Sequence, residues 1–471
     1  MSVSDVDAVV VGAGAAGLYQ LHRLRKAGLR TRVFEAGGGV GGTWYWNRYP
    51  GARCDLPSAS YSYSFDPELE QEWTWSERYA PQPEIERYLN HVADRFDLRR
   101  DITLDTRVER AVFDELARVW RLSTDTGEQV SCQFLIMATG CLSAPKVPDI
   151  PGLDRFAGPV YVTGRWPTEG VDFTDRRVGV IGTGSSGVQS IPLIAEQAAS
   201  LTVFQRTPSF CLPAHNRDLT DDEVRSLKRD YRQYRATQKS STFGEPVAAP
   251  TRSAFEVSDE TRRRHYEENW AEGHLFNLLA AYTDLLVDRP ANATVADFIH
   301  NKIRATVIDP EVAEALCPTT YPFGTRRPCL DTNYYATYNL RHVRLVDLNK
   351  TPIRGITEHT VQTTEEPVEL DALVLATGFD AITGALTRID IRGVGGVELK
   401  DKWADGPLSY LGLTVAGFPN LLTINGPSSP GVSVSMFMAI EQHVEWITDL
   451  IVHMRDRDLW EFDTSREAEL D

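Results

Sequence analysis

The 471-residue chain has few cysteines, a deficit of basic residues and no long apolar run. Its six cysteines are scattered, with no Cys-x-x-Cys pair and no metal-ligand spacing, so neither a disulfide framework nor a metal site is expected. No apolar stretch reaches the roughly 18–20 residues that cross a bilayer, and the N-terminus lacks a secretory signal. Acidic residues outnumber basic ones 66 to 49, and a net charge of -17 disfavours nucleic acid and membrane surfaces as partners. These absences predict a soluble, reduced, cytoplasmic protein.

The overall composition is that of a globular protein. Apolar residues make up 42% and charged residues 24% of the chain, which excludes a disordered or fibrous protein. At about 150 residues per domain, the length predicts roughly three domains or lobes. The function must therefore be sought in local motifs.

A glycine-rich turn follows the first apolar strand of the chain. Residues 7–11 run into Gly12, Gly14 and Gly17 in the pattern GxGxxG, and leucines at helical spacing come next. The following strand ends in Glu35, at the distance of about 20 residues typical of a ribose-binding acid. The glycines permit a tight turn and a close approach of the backbone to a pyrophosphate, which then faces the helix N-terminus. This unit predicts a dinucleotide site.

The same unit recurs further along the chain with a different ending. Its strand and turn, which begin at Arg177, contain Gly182, Gly184, Ser185, Ser186 and Gly187. Its second strand ends in Gln-Arg-Thr, so that Arg206 and Thr207 stand where a ribose-binding acid would otherwise be. A cation and a hydroxyl there suit a 2′-phosphate, which favours NADP over NAD. An acid-ended site and a base-ended site in one chain together predict FAD and NADPH as cofactors.

Two apolar strands end in Ala-Thr-Gly. The first of these motifs contains Thr139, and the second consists of Ala376, Thr377 and Gly378. They resemble the two points at which a chain crosses between a flavin domain and an inserted NADPH domain. The predicted fold class is therefore α/β, with two Rossmann-like dinucleotide-binding domains, the second inserted in the first and carrying a helical insertion. The predicted ranges are 1–142 and 380–471 for the FAD-binding domain, 143–379 for the NADPH-binding domain, and about 213–322 for the helical insertion.

Three further segments carry a family resemblance. Residues 41–55 fit the pattern GGxWxxxxYPGxxxD in every fixed position, and residues 326–335 resemble KRPLCDxxYY. Residues 156–167 fit FxGxxxHxxxWP except that Val162 stands at the histidine position. Over almost its whole length the chain thus resembles the flavoprotein monooxygenases, specifically the type I Baeyer–Villiger monooxygenases of the cyclohexanone monooxygenase kind.

The resemblance implies a reaction and its residues. It implies an FAD-containing, NADPH- and O2-dependent monooxygenase that converts a ketone to an ester or lactone through a C4a-peroxyflavin. By resemblance Arg327 is the cation that stabilises the peroxyanion, and Asp55 is the acid that holds the Arg327 guanidinium in place. The resemblance also implies that Arg326 reaches the NADPH 2′-phosphate. A guanidinium suits that task because it stays charged at any working pH. The remaining cofactor-binding residues expected from the motifs are Gly42, Thr43, Trp44, Asp55, Tyr61, Thr139, Ala376, Thr377 and Gly378.

Two departures from the family pattern leave alternatives open. Val162 neither accepts a hydrogen bond nor carries a charge, so an uncoupled NADPH oxidase or a heteroatom (S/N) flavin monooxygenase is one alternative. Members of the family continue beyond a segment like 464–469, and the continuation normally forms part of the lid over the substrate. We therefore expect either a shortened form of the chain or a lid that is built from other residues. A catalytically quiet FAD-binding interaction protein is the alternative from another class. The presence of Arg206, Arg326, Arg327 and Asp55 argues against a protein that only binds FAD.

Overall fold

The computed structural model describes residues 4–429 and 434–470, which form an α/β fold. The strands, numbered β1 to β18 in chain order, are Val6–Val11, Thr31–Phe34, Ile102–Thr103, Val108–Asp114, Val119–Thr124, Gln129–Met137, Val160–Val162, Arg177–Ile181, Ser200–Gln205, Cys211–Pro213, Cys329–Asp331, Val343–Asp347, Ile353–Ile356, Thr360–Thr363, Pro367–Glu369, Ala372–Leu375, Asp390–Arg392 and Leu421–Thr423. The helices, numbered α1 to α14, are Ala15–Lys26, Thr43–Trp46, Pro67–Glu72, Gln82–Arg95, Ser185–Ala195, Asp221–Ser240, Asp259–Glu272, Arg289–Thr306, Pro310–Leu316, Tyr334–Thr337, Gly384–Thr387, Leu399–Lys402, Met436–Arg455 and Arg466–Leu470.

The larger sheet is built from both ends of the chain. Its order is β17-β4-β5-β6-β1-β2-β3, with β18 paired to β6. The central strand β1 pairs in parallel with β2 and β6, so that Val10 lies opposite Val33 on one side and Ile136 on the other. A parallel strand covered on both faces needs an apolar run, which is why this strand is so rich in valine. Helices α1 and α13 cover one face, where Leu21 and Ile447 belong to the same buried cluster.

The second sheet is formed by residues 160–375 and is parallel throughout. Its order is β12-β9-β8-β16-β7. Helices α6 to α9 lie in the chain between β10 and β11, two short strands that pair in parallel beside it. The predicted fold class, with the second nucleotide-binding unit inserted in the first, is confirmed. The domain boundaries at 142 and 379 stay predictions.

Two crossing segments, 138–159 and 376–389, connect the two sheets. They hydrogen-bond to each other side by side: Lys146 N–H donates to Gly378 O at 3.0 Å, and Asp380 N–H donates to Ala144 O at 2.8 Å. The Thr377 hydroxyl donates to Lys146 O at 2.6 Å. Both Ala-Thr-Gly motifs therefore lie where the chain leaves a sheet.

Within residues 4–429 and 434–470, the structure contains no helix with the length and apolar character needed to cross a membrane.

Candidate active site

The first glycine turn joins β1 to α1 and has the shape of a phosphate cradle. Gly12 has a φ of +106°, and a Cβ there would lie 2.6 Å from Ala138 O, so only glycine fits beside the strand end at Thr139. Gly14 caps the helix without a side-chain acceptor from the described residues, and no acid lies in the first turn. The N–H groups at this helix end suit an anion. The backbone of Gly42 packs directly against Gly14.

Glu35 lies at the edge of this turn, as its spacing predicts. The carboxylate is 5% exposed and accepts hydrogen bonds from Ala13 N–H at 2.7 Å and Gly37 N–H at 2.8 Å. Burial raises the pKa of Glu35, and the backbone N–H groups oppose that rise. Each carboxylate oxygen has a second lone pair, so Glu35 could also accept hydrogen bonds from ribose hydroxyls. Gly17 is buried in the first turn of α1. The cradle thus has the donors and acceptors that suit a pyrophosphate and a ribose.

The second glycine turn, between β8 and α5, repeats this geometry. Gly182 has a φ of +110°, and a Cβ there would lie 2.3 Å from Ala376 O, just as Gly12 lies against Ala138. Gly184 caps α5, again without a described side-chain cap or an acid in the first turn. Gly184 and Ser185 are exposed, Ser186 is half-buried and Gly187 is buried. This helix end fits a second pyrophosphate.

The predicted 2′-phosphate residues gather at the carboxyl end of β9. Thr207 O accepts a hydrogen bond from the Thr183 hydroxyl at 3.1 Å, which ties the strand end to the glycine turn. The Tyr321 hydroxyl donates to Pro208 O at 2.9 Å, and the Arg326 guanidinium lies 4.7 Å from the Tyr321 ring centroid. Tyr321 thereby brings Arg326 to the edge that carries Arg206. Both arginines are exposed.

Trp44 and Tyr61 form an aromatic wall directly after the glycine at Gly42. Gly42 caps the short helix α2, in which Thr43 is exposed and Trp44 is buried. The Trp44 indole N–H donates to the Tyr61 hydroxyl at 3.1 Å, and the two rings meet edge to face. Tyr61 in turn contacts Phe437, at 4.8 Å between ring centroids. These contacts fix both rings.

Arg327 and Asp55, 272 residues apart, form a bidentate ion pair. Arg327 Nε lies 2.6 Å from Asp55 Oδ2, and Arg327 Nη2 lies 2.8 Å from Oδ1. The two side chains are only 24% and 25% exposed. Burial lowers the pKa of the Arg327 guanidinium, but the charge and hydrogen bonds of Asp55 outweigh it, so the pKa lies above its ordinary value. The site therefore holds a permanent, fixed cation.

A contact that the motifs did not predict positions Asp55. The Tyr49 hydroxyl donates to Gln189 Oε1 at 2.8 Å, and Gln189 Nε2 donates to Arg53 O at 3.1 Å. Gln189 lies in α5 of the second nucleotide unit, so one helix holds the turn 49–55 of the first unit. Nothing in the sequence around Gln189 marks this role, because the contact spans 140 residues.

Val162, the departure from the linker pattern, is a sheet residue. It ends β7 opposite Leu375 of β16. Its partly buried side chain packs on an apolar cluster that includes Phe204 and Leu373. Valine thus serves the packing of this sheet edge.

Comparison with known sequences agrees with this geometry. A family model described as pyridine nucleotide-disulphide oxidoreductase matches residues 9–239. The chain is 44% identical to the 2-oxo-Delta(3)-4,5,5-trimethylcyclopentenylacetyl-CoA monooxygenase of Pseudomonas putida, over 96% of this chain and 84% of that protein. It is 42% identical to a Baeyer-Villiger monooxygenase of Pseudooceanicola batsensis, over 99% of this chain and 85% of that protein.

Solved structures extend the likeness to the cofactors. Oxidized steroid monooxygenase bound to NADP superposes with a TM-score of 0.96 at 52% identity, covering 100% of this chain and 90% of that one. The OTEMO complex with FAD and NADP gives 0.97 at 43% identity, covering 99% and 89%. These likenesses favour neither the oxidase or heteroatom alternative nor the quiet interaction protein. They confirm the predicted cofactors, and the chain belongs to the Baeyer–Villiger monooxygenases, enzymes that use FAD and NADPH.

Proposed function

We propose that this protein uses NADPH and O2 to convert a ketone to an ester or lactone, with Arg327 and Asp55 at the reacting centre. The observation that carries the proposal is the bidentate pair between them, held where the turn 49–55 meets α5. A shielded cation of fixed direction is what a reaction that builds negative charge on oxygen requires.

The residues have separable tasks. When bound, FAD would supply the redox chemistry, namely hydride transfer from NADPH and the activation of O2, which is the source of the inserted oxygen. Arg327 stabilises negative charge that develops on oxygen, since its guanidinium stays protonated at any working pH. Asp55 binds two of its nitrogen atoms and fixes the direction in which the remaining N–H groups point. The aromatic wall of Trp44 and Tyr61 keeps water from the flavin side.

We assign the cofactors to the two glycine turns. The first turn with Glu35, Gly42 and Thr43 would hold FAD, in a domain that comprises residues 1–142 and 380–471. The second turn with Arg206, Thr207 and Arg326 would hold NADPH, in the domain 143–379. Each Ala-Thr-Gly segment would line the turn against which its backbone packs.

Product stoichiometry tests this function. NADPH consumption is measured on a panel of cyclic and linear ketones, with ester or lactone and hydrogen peroxide quantified in the same tube. A phenazine is added because a relative at 44% identity is named phenazine N-monooxygenase. Ester formed in step with NADPH is expected for at least one ketone. Peroxide equal to NADPH, with no ester from any ketone, would overturn the proposal, and Val162→His would then test whether the linker causes the uncoupling.

Substitution at the ion pair tests the residues. Arg327→Ala is expected to lower ester formation by about 100-fold or more, the usual effect of losing a group that stabilises an oxyanion. Anaerobic reduction of the flavin by NADPH should persist, because it needs no cation at this position. Arg30, whose Nε and Nη2 both donate to Asp7 Oδ1 on the surface, supplies the control Arg30→Ala. Ketone conversion by Arg327→Ala at a rate comparable to the control would show that the role is wrong.

A further inference from the structure

Phe276 is a buried aromatic residue beside the cation of the proposed reaction. It is 0% exposed, and the central carbon of the Arg327 guanidinium lies over its ring, 5.2 Å from the centroid. A cation within about 6 Å of a ring centroid is attracted by the negative face of the ring, and the attraction grows where water is excluded. The Arg327 side chain is only 24% exposed. The ring is therefore a second contact of the guanidinium, in addition to Asp55.

Asp55 and Phe276 restrain the guanidinium in different directions. Asp55 accepts hydrogen bonds from Nε and Nη2 of Arg327, and such a bidentate pair lies in the plane of the guanidinium. These two bonds fix one edge of the group but resist a tilt of its plane only weakly. The ring face blocks the tilt toward one side and favours the plane in which the cation lies over the ring. Together the two contacts define both the edge and the plane of the guanidinium.

The ring of Phe276 is itself held by its neighbours. Phe243 stacks on it, with ring centroids 4.8 Å apart and an angle of 8° between the two planes. Phe276 N–H donates to His274 Nδ1 at 3.2 Å, and Phe276 O accepts from Ala280 N–H at 2.9 Å. A ring fixed by stacking and by its backbone offers Arg327 a surface of constant direction.

Phe243 connects this ring with the first nucleotide unit. Ser435 N–H, at the start of α13, donates to Phe243 O at 3.1 Å. Helix α13 covers the larger sheet together with α1, the helix that follows the first glycine turn. Both phenylalanines belong to the segment that was predicted as a helical insertion. That segment therefore reaches the ion pair and also contacts the flavin-side helix.

We propose that Phe276 is a positioning residue, which holds the plane of the Arg327 guanidinium through a cation–π contact so that the cation faces the oxygen that becomes negative. The inference rests on the proposed function for that oxygen, whereas the contact between ring and cation can be measured without it. A weaker ring face should leave the pair with Asp55 in place but let the guanidinium tilt. The site should then bind a ketone as before and convert it more slowly.

Fluorinated phenylalanines separate this role from packing. One, two or three fluorine atoms on the ring at position 276, introduced by amber suppression, nearly preserve its shape but withdraw charge progressively from its face. The matched control is the same series at Phe173, which is also 0% exposed and whose ring contacts Tyr161 and Trp166. Full-length, FAD-loaded protein is used throughout.

Ester formation is the first readout. In the series at position 276, kcat should fall stepwise with the number of fluorine atoms, by about tenfold in total, as expected for a cation–π contact shielded from water. KM for the ketone should change by less than about twofold, because the contact acts on charge that develops during the reaction. The series at position 173 should leave kcat unchanged.

The Nε–H signal of Arg327 in nitrogen–proton correlation spectra is the second readout, and it does not depend on turnover. The signal is assigned by its absence in Arg327→Lys, and it should move in the same order through the series at position 276 only. A signal that does not follow this series, a kcat that does not follow it in a protein that forms ester, or an equal response to the series at position 173 would overturn the assignment. A signal that follows the series at position 276, in a protein that forms no ester from any ketone, would instead contradict the proposed function alone.

Discussion

His443 is a buried side chain that contributes to the response of this protein to acid. The residue is 6% exposed, and its Nδ1 accepts a hydrogen bond from Asn425 N–H at 3.1 Å. Burial lowers the pKa of His443 from 6.5 to about 4. The unfolded chain takes up this proton near pH 6.5, but the folded protein does so only near pH 4. The free energy of unfolding therefore falls as the pH drops through that window.

We expect His443→Gln to flatten this part of the pH dependence. The histidine alone should cost the wild type about 3 kcal/mol of stability between pH 6.5 and 4, since one pKa unit corresponds to about 1.4 kcal/mol. Urea unfolding at several pH values across this range measures the slope. The exposed His453 on the same helix supplies the control His453→Gln. A slope in His443→Gln equal to that of the wild type would show that this proton is not the cause.

Individual residues of the candidate site differ in how far they could be predicted from the sequence. Glu35 and the glycines of both turns could be predicted because the spacing along the chain determines how they meet. Arg327 and Asp55 could be paired only through the family resemblance, since 272 residues separate them. Gln189 and Phe276 lie outside every motif, and their contacts arise from the packing of segments that are distant in sequence.

Among the elements, the docking of the turn 49–55 on α5 connects the two nucleotide units most directly. Gly51 has a φ of +80°, and a Cβ there would lie 2.4 Å from Gln189 O. Gly170 has a similar φ of +78° but no neighbour within 4 Å. A comparison of substitutions at the two glycines therefore separates the effect of backbone strain from the effect of losing the contact with α5.

Gly51→Ala is expected to destabilise the protein by about 1–3 kcal/mol more than Gly170→Ala, because both pay the same backbone strain but only the first meets a packed helix. Ester formation should fall in Gly51→Ala only, since the displaced turn carries Asp55. Urea unfolding and lactone assays of both variants measure this. Equal losses in the two variants would mean that the turn does not depend on α5.

At the scale of the whole molecule, the larger sheet needs both ends of the chain. Strand β18 pairs with β6, and Gln20 Nε2 of α1 donates to the Thr448 hydroxyl of α13 at 3.1 Å in a buried contact. Such closure between distant segments was visible in the sequence only through the two Ala-Thr-Gly motifs. Their strands were predictable from apolar runs, but the short strands β10 and β17 carry no comparable pattern.

A chain ended after residue 389 should therefore fail to hold FAD. It lacks β17, β18 and α13, which leaves the apolar faces of α1 and β6 uncovered, a loss far larger than the usual margin of about 5–15 kcal/mol. Flavin absorbance of the purified fragment measures this, and co-expression of residues 390–471 should restore it. Normal FAD content in the fragment alone would contradict the dependence.

The paired crossing segments have a mechanical consequence. A single tether lets two bodies swivel about any axis, whereas two tethers joined by hydrogen bonds between Lys146, Ala144, Gly378 and Asp380 resist torsion and leave bending across the pair as the soft motion. The Arg327–Asp55 pair and the contacts of Gln189 with the turn 49–55 bridge the same two sheets. The spacing between the two glycine turns is therefore expected to change little, so that a ligand held by one turn keeps its distance from a ligand held by the other.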